Sequence, residues 1–430
     1  MNAAQATYLT DTYRFNWLEE GIEILIDHLL ESRGDLTCEM TVRTASPFPE
    51  LLRQAKFNLS STRTRVEWIR TLTEREPERD WYAAIEQACT LSLRHWREGA
   101  AFLDLATVEP REDDAYLLRP YVVEGAASGV FADGGTGKSL FALAVALSVA
   151  TGEDLVGGKP TRCCPVLYLD WEWDEESHAE RLEALCRGAE IEKPPAAIWY
   201  RREMASINES ASNIRHFLVN KGIGFVIVDS LGFARGGEPE SAELTIKTFA
   251  SMRSFGVPCL FIDHIAKHSQ DRQHSFGSVY TRNSARLMWR MDAEDQNESQ
   301  GKRLGLVNTK WNRRYQKPRG LLLTTEMDDA DRLVSARFDD CEPPLITLRT
   351  AGVKEACIGL LRRNLEGIGT QDMRLALEIE GVKVSQNVLH ATLGRKANKD
   401  VFEYRGGLWY LSNALLNVTD VTSNGNNAPL

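Results

Sequence analysis

Phe131-Ala-Asp-Gly-Gly-Thr-Gly-Lys-Ser139 has the residue order that a triphosphate needs. The apolar stretch Ser128-Gly-Val-Phe-Ala132 leads into it as a strand. Leu140-Phe-Ala-Leu-Ala-Val-Ala-Leu-Ser-Val-Ala150 leads out as a helix with an apolar face. Gly134, Gly135 and Gly137 let the backbone curl so that successive N–H groups point at phosphate oxygens. The helix N-terminus adds partial positive charge, Lys138 reaches the β- and γ-phosphates, and the Ser139 hydroxyl suits Mg²⁺. The expected nucleotide cradle is Gly134, Gly135, Thr136, Gly137, Lys138, Ser139 and Leu140. Only the first position of the G-x-x-x-x-G-K-[ST] pattern departs, being Ala132, and that position shapes the approach to the loop without supplying a phosphate ligand.

Four apolar runs alternate with helical segments between about 121 and 340. Pro165-Val-Leu-Tyr-Leu-Asp-Trp-Glu-Trp173, Gly224-Phe-Val-Ile-Val-Asp-Ser230 and Val257-Pro-Cys-Leu-Phe-Ile-Asp-His264 follow the loop strand in turn. Continuous apolar strands separated by helices predict a parallel sheet covered on both faces, with ligand-binding residues at the strands' carboxyl ends. Arg303–Asn308 and Gly320–Thr324 read as strands that extend this sheet. Two strands end in an apolar run followed by aspartate, Asp170 and Asp229, and only one of them can sit on the metal side. Glu172, just past its strand, suits activation of a water, and Asp170 is left between a catalytic role and the orienting of local backbone. His264 stands where an imidazole can hydrogen-bond a γ-phosphate or the attacking water.

The set Ala132–Ser139, Tyr168-Leu-Asp-Trp-Glu172, Val226-Ile-Val-Asp-Ser230 and Phe261-Ile-Asp-His-Ile-Ala-Lys267 resembles the RecA-like P-loop ATPases. Within these it is most similar to the RepA-type hexameric plasmid and phage replicative helicases, over residues from near 121 to 330. The resemblance implies an α/β fold with a RecA-like core and mostly parallel sheet, binding ATP and Mg²⁺. It implies Glu172 as general base, Ser139 and Asp229 on the metal, and a homo-oligomeric, often hexameric, ring with each nucleotide between subunits. Such a ring needs a cation from the next subunit at the γ-phosphate. Asn308-Thr-Lys-Trp-Asn-Arg-Arg314 offers Lys310 and Arg313, though their spacing departs from the family's Lys-x-Arg form, and Arg282 and Arg286 are alternatives. In such motors the loops after the Asp229 and His264 strands face DNA, which makes Arg235, Lys267, His268 and Arg272 candidate phosphate contacts.

The flanks read as separate units. Residues 1–110 predict a small α+β module, with Gly21–Asp27 and Thr37–Arg43 alternating as strands, and Thr64–Leu72 and Trp81–Trp96 carrying helical periodicity. Residues 350–412 predict three helices and a hairpin, a winged helix, with Gln386, Asn387, His390 and the run Arg395-Lys-Ala-Asn-Lys399 as polar contacts for DNA or for a docking protein. Residues 413–430 are polar and aperiodic, and predict a disordered tail.

At 430 residues, 43% hydrophobic and 26% charged, the chain has the composition of a soluble protein of two or three domains. A net charge of −10 confines any nucleic-acid contact to local basic surface. The eight cysteines include no C-x-x-C pair and suit reduced core thiols. The N-terminal residues have no basic stretch followed by an apolar one, and no run reaches membrane-spanning length, so a cytoplasmic location without membrane contact is expected. Together these features predict a Mg²⁺-dependent, ring-forming ATPase acting on DNA, helicase-like or in repair or a mobile element. The competing readings are an ATP-driven switch within a multi-protein defence or transposition system, or a small-molecule phosphotransferase. Replication or defence proteins are the expected further partners.

Overall fold

Alternating burial builds the first unit of the computed structural model, which describes residues 2–45, 49–100, 102–110, 115–238, 240–265, 279–295, 301–312, 316–344, 347–348, 351–379 and 382–412. Strands Gln5–Leu9 (β1), Thr12–Trp17 (β2), Ile22–Ser32 (β3), Asp35–Thr44 (β4) and Leu51–Asn58 (β5) pair in chain order as an antiparallel sheet. Helices Thr62–Arg75 (α1) and Trp81–Glu98 (α2) close over it, with Trp68, Leu72, Trp81 and Ile85 packed against Phe15, Trp17, Ile24 and Phe57. The short strands β1 and β2 and the mixed strand β5 were not predicted. In β5 only Leu52 and Phe57 are buried, so its sequence carries little alternation.

The second unit contains Tyr116–Leu118 (β6), Val122–Val123 (β7), Ala127–Ala132 (β8), Lys138–Thr151 (α3), Val166–Asp170 (β9) and Glu175–Gly188 (α4). Ile198–Arg202 (β10), Ile207–Lys221 (α5), Phe225–Asp229 (β11), Leu231–Ala234 (α6), Ala242–Ser254 (α7) and Cys259–His264 (β12) follow. Val279–Ser284 (α8), Leu287–Asp295 (β13), Lys302–Trp311 (β14), Arg319–Met327 (β15) and Leu333–Cys341 (β16) complete it. The sheet order is β10-β9-β11-β12-β8-β13-β14-β15-β16. Strands from β10 through β13 run parallel, and β14, β15 and β16 turn back antiparallel.

Helices α3 and α4 cover one face of the sheet and α5 and α7 the other, which is why Phe225–Val228 is apolar throughout. Each such fully buried Val, Ile or Phe contributes roughly 1.5–3 kcal/mol. Helix α3 has more than an apolar face: its residues from Phe141 to Val149 are all buried. The reason is a second layer, in which Phe141 meets Tyr121 at 5.2 Å and Phe338 of β16 at 6.1 Å, both edge to face. The helix ends where Gly152 takes φ +86 and returns its N–H to Ser148 O.

The third unit holds Val353–Arg363 (α9), Thr370–Ile379 (α10), Gln386–Gly394 (α11) and the hairpin Phe402–Arg405 (β17) with Leu408–Leu411 (β18). Its core comprises Leu360, Leu361, Met373, Leu377, Leu389, Leu393, Phe402 and Leu411. Among the described residues no helix is long and apolar enough to cross a membrane. Cys38, Cys89, Cys186, Cys259 and Cys357 are buried free thiols.

Candidate active site

Four neighbouring parallel strands, β9, β11, β12 and β8, deliver their carboxyl ends to one edge, in that spatial order. Strand β12 lies between the loop strand β8 and the Asp229 strand β11, with His264 in register with Ala132. The loop after β8 turns at Gly135 (φ +72) and Gly137 (φ +100). A side chain is strained at both positions, and a Cβ on Gly134 or Gly135 would meet no atom within 4 Å. The glycines therefore serve backbone shape in an open cradle. Thr136 Oγ1 donates to Asp133 O at 2.7 Å and steadies the turn. Gly137 caps α3, whose first turn presents Lys138, Ser139 and Leu140.

Lys138 is buried, and its ammonium donates to the carbonyls of Ala132 (3.1 Å) and Asp133 (2.8 Å). Burial lowers its pKa, while Asp229, Glu172, Asp133 and Asp263 act in the opposite sense. Asp229 is buried as well. Burial raises its pKa, partly offset by Tyr168, which donates to Oδ2 at 2.6 Å, and by the nearby Ser139 hydroxyl. The serine hydroxyl and the carboxylate expected to share a divalent cation are thus near neighbours. A glycine cradle, a buried ammonium and a Ser–Asp oxygen pair together fit Mg²⁺ and a triphosphate.

The two carboxylates at and just past the end of β9 divide their work. Asp170 is buried and accepts from Glu172 N (2.9 Å), Trp173 N (3.2 Å) and Tyr200 OH (2.9 Å), with His178 Nε2 at 2.9 Å. Burial pushes its pKa up, but His178 and the Glu172 N–H outweigh that and hold it below the ordinary range. Of the two readings left open for Asp170, the geometry supports the orienting one: its oxygens are taken up in shaping the turn that presents Glu172. Glu172 is exposed and leans across the next two strand ends. Ser230 Oγ donates to its Oε1 at 2.5 Å, and His264 Nε2 lies 3.6 Å from the same oxygen. His264 first, and Ser230 also, hold the Glu172 carboxyl below its usual pKa despite partial burial.

Other expected residues are placed differently. Arg235, read as a surface phosphate contact, is buried: Nη2 donates to Thr281 Oγ1 at 2.8 Å and lies 3.6 Å from Asp263 Oδ2. Burial raises the Asp263 pKa to about 6, with Arg235 pulling it back. Lys310 sits on β14, where its ammonium donates to Arg282 O, Asn283 O (2.9 Å) and Ala285 O (2.6 Å). It therefore caps the end of α8 within its own chain, and acting on a neighbour would require leaving these carbonyls. Arg282 lies on α8 and Arg286 just before β13. Arg313, Lys267, His268 and Arg272 lie outside the described residues.

Three contributors were not singled out from the sequence. Tyr168 and Ser230 belong to quoted strands, but their partners come from the neighbouring strand ends, which no local pattern reveals. Lys302, at the start of β14, donates to Gly135 O at 2.9 Å and ties the antiparallel half of the sheet to the loop.

A family model described as an AAA domain matches residues 97–270, a span from the end of α2 past β12. The match and the mixed α/β core with its large, mostly parallel sheet point to a P-loop NTPase and to ATP hydrolysis. No curated protein matches the chain.

Proposed function

We propose that this chain is a Mg²⁺-dependent ATPase with a RecA-like core that assembles as a ring and acts on DNA. The observation that carries the hydrolytic part is the meeting of Glu172, Ser230 and His264 from three adjacent strands, beside the Lys138, Ser139 and Asp229 cluster. Lys138 and the loop N–H groups bind phosphate oxygens. Ser139 and Asp229 hold Mg²⁺, which when bound neutralises charge on the β- and γ-phosphates. Glu172, kept ionised, accepts a proton from water or orients it for in-line attack. Ser230 fixes the Glu172 rotamer, and His264 links that carboxylate to the loop strand, so it senses the phosphate end of the site. With Lys310 engaged in its own chain, Arg313 is the first candidate for the cation supplied to a neighbouring subunit, and Arg282 and Arg286 are the alternatives.

Support for the DNA partner comes from the third unit, read as a winged helix. Gln386, Asn387 and His390 are exposed on α11, and Arg395, Lys396 and Lys399 are exposed beyond it. Two measurements test the proposal. Glu172→Gln should lower hydrolysis about 10²–10⁴-fold while retaining nucleotide binding. Retained turnover would remove Glu172 as base. Single-stranded DNA should bind the full chain and stimulate hydrolysis. Absence of both would leave the ATPase intact and shift its partner to protein, as an assembly switch requires.

A further inference from the structure

A second cluster of metal-type ligands lies far along the chain from the loop, where the N-terminal sheet meets α5. Asp27 on β3 and Glu39 on β4 are direct register partners across the antiparallel pair. Two carboxylates placed opposite each other repel. His28 follows Asp27, and neighbouring strand residues normally point to opposite faces. Here the ladder is irregular between Asp27 and Leu30, and His28 has φ +51, so its Nε2 comes within 3.9 Å of Asp27 Oδ1. Ligand atoms of Asp27, His28 and Glu39 all lie within 4.8 Å of one another.

The independent observation is the state of Asp27. Its side chain is only 3% exposed, yet Oδ1 has no hydrogen-bond partner. A buried carboxylate oxygen is costly to leave unsatisfied. Its other oxygen, Oδ2, lies 2.6 Å from Nδ1 of His216, on α5 of the second unit. His216 thus stands against Oδ2 and leaves Oδ1 facing His28. Gln54 Nε2 donates to Glu39 Oε1 at 2.5 Å and orients that carboxylate in the same way.

We propose that Asp27, His28 and Glu39 are ligands of a first-row divalent transition ion, for which Zn²⁺ is the probe, with His216 as the positioning residue for Asp27. One imidazole and two carboxylates suit such an ion, whereas Mg²⁺ and Ca²⁺ favour oxygen donors throughout. At Zn–N and Zn–O lengths of about 2.0–2.2 Å, tetrahedral ligand atoms stand roughly 3.3 Å apart, so the present spacing would contract by up to about 1.5 Å, through side-chain rotation of the exposed His28 and of Glu39. The ion would offset the opposed carboxylates and, through Asp27–His216, fasten the N-terminal sheet to α5.

The test uses the full chain, dialysed against chelator and then held in excess Mg²⁺ to occupy the Ser139–Asp229 site. Titration with Zn²⁺ should show one site per chain and a raised Tm, and Co²⁺ should give the visible absorption of a four-coordinate centre. His28→Ala, an exposed position, should weaken Zn²⁺ at least 10-fold and abolish the Co²⁺ signal. His216→Gln should weaken Zn²⁺ about 10–100-fold yet keep a Co²⁺ spectrum, as loss of an orienting partner does. Asp27→Asn should behave as His28→Ala does. If it fails to fold, the His28→Ala result stands alone. Equal Zn²⁺ uptake by wild type and His28→Ala, or none by wild type at micromolar Zn²⁺, overturns the site.

Discussion

In the parallel half of the large sheet, acidic side chains collect at one edge: Asp170 at the end of β9 and Glu172 just past it, Asp229 on β11 and Asp263 on β12. In the antiparallel half, charges are paired within a strand or with the adjoining one, as in Arg337 with Asp339 at 2.6 Å and Arg319 with Asp340 at 3.0 Å. Both halves share one ladder of hydrogen bonds, so the difference lies in connectivity. Parallel strands return by way of helices, which leaves several strand ends side by side and unobstructed. Antiparallel strands are joined end to end, and their charges meet neighbours at once. One half concentrates unlike partners around a crevice, and the other spends its charges on holding itself together.

If that contrast is sound, the most damaging single change at the crevice is one that removes its organiser. Asp170→Ala deprives Tyr200 OH, His178 and two backbone N–H groups of their acceptor in a buried position. The expected loss is about 3 kcal/mol of stability. Chemical denaturation measures it. Hydrolysis should fall too, because the Glu172 turn loses its anchor. Asp170→Asn, which keeps the shape, should recover part of the stability. A loss no greater than that of a surface change would mean that the crevice is not organised from Asp170.

This organiser was hard to see in the sequence, and the reason is physical. The loop, the four strand ends and Glu172 were legible because a continuous apolar run followed by a polar residue is a local signal. The partners of Asp170 are not local: His178 comes from α4 and Tyr200 from the edge strand β10. Strand β10 itself was missed, since Ile198-Trp-Tyr-Arg-Arg202 is short and partly exposed. Strand β13 was missed because Arg290 and Asp292 satisfy each other while buried, which puts charge where an apolar residue is expected. The burial of Arg235, a candidate phosphate contact by its loop position, has no local signal, since it depends on Thr281 and Asp263 from other elements.

A smaller effect tests the antiparallel half. Lys310→Ala removes a cation from three carbonyls at the end of α8. A stability loss of about 1–2 kcal/mol is expected, with hydrolysis per chain changed little. Lys310→Met, which keeps the stem and drops the charge, should cost nearly as much. A fall in hydrolysis of 10³-fold at unchanged Tm would reverse the contrast. Lys310 would then be serving a neighbour's nucleotide, and its present carbonyls would be a resting place.

The smallest expected effect has the opposite sign. Asp229 is buried among Tyr168, Ser139, Asp170 and Glu172, and burial raises its carboxyl above the ordinary value. The folded protein therefore holds this proton more tightly than the unfolded chain does. Its contribution to stability is greatest below the unfolded pKa and is lost as pH rises through the folded one. Asp229→Asn keeps an oxygen for Tyr168 and Ser139 but never ionises. At neutral pH without nucleotide it should melt above wild type by about 2 °C, the shift that ~1 kcal/mol produces in a domain of this size. The advantage should shrink towards zero as pH falls below the unfolded pKa. Mg²⁺ with a non-hydrolysable ATP analogue should also narrow it at neutral pH, because only the ionised wild-type carboxylate gains from the cation. Were the variant less stable than wild type at neutral pH, with the gap unmoved by Mg²⁺ and nucleotide, Asp229 would be a structural carboxylate like those of the antiparallel half, and the cation would have to be held elsewhere.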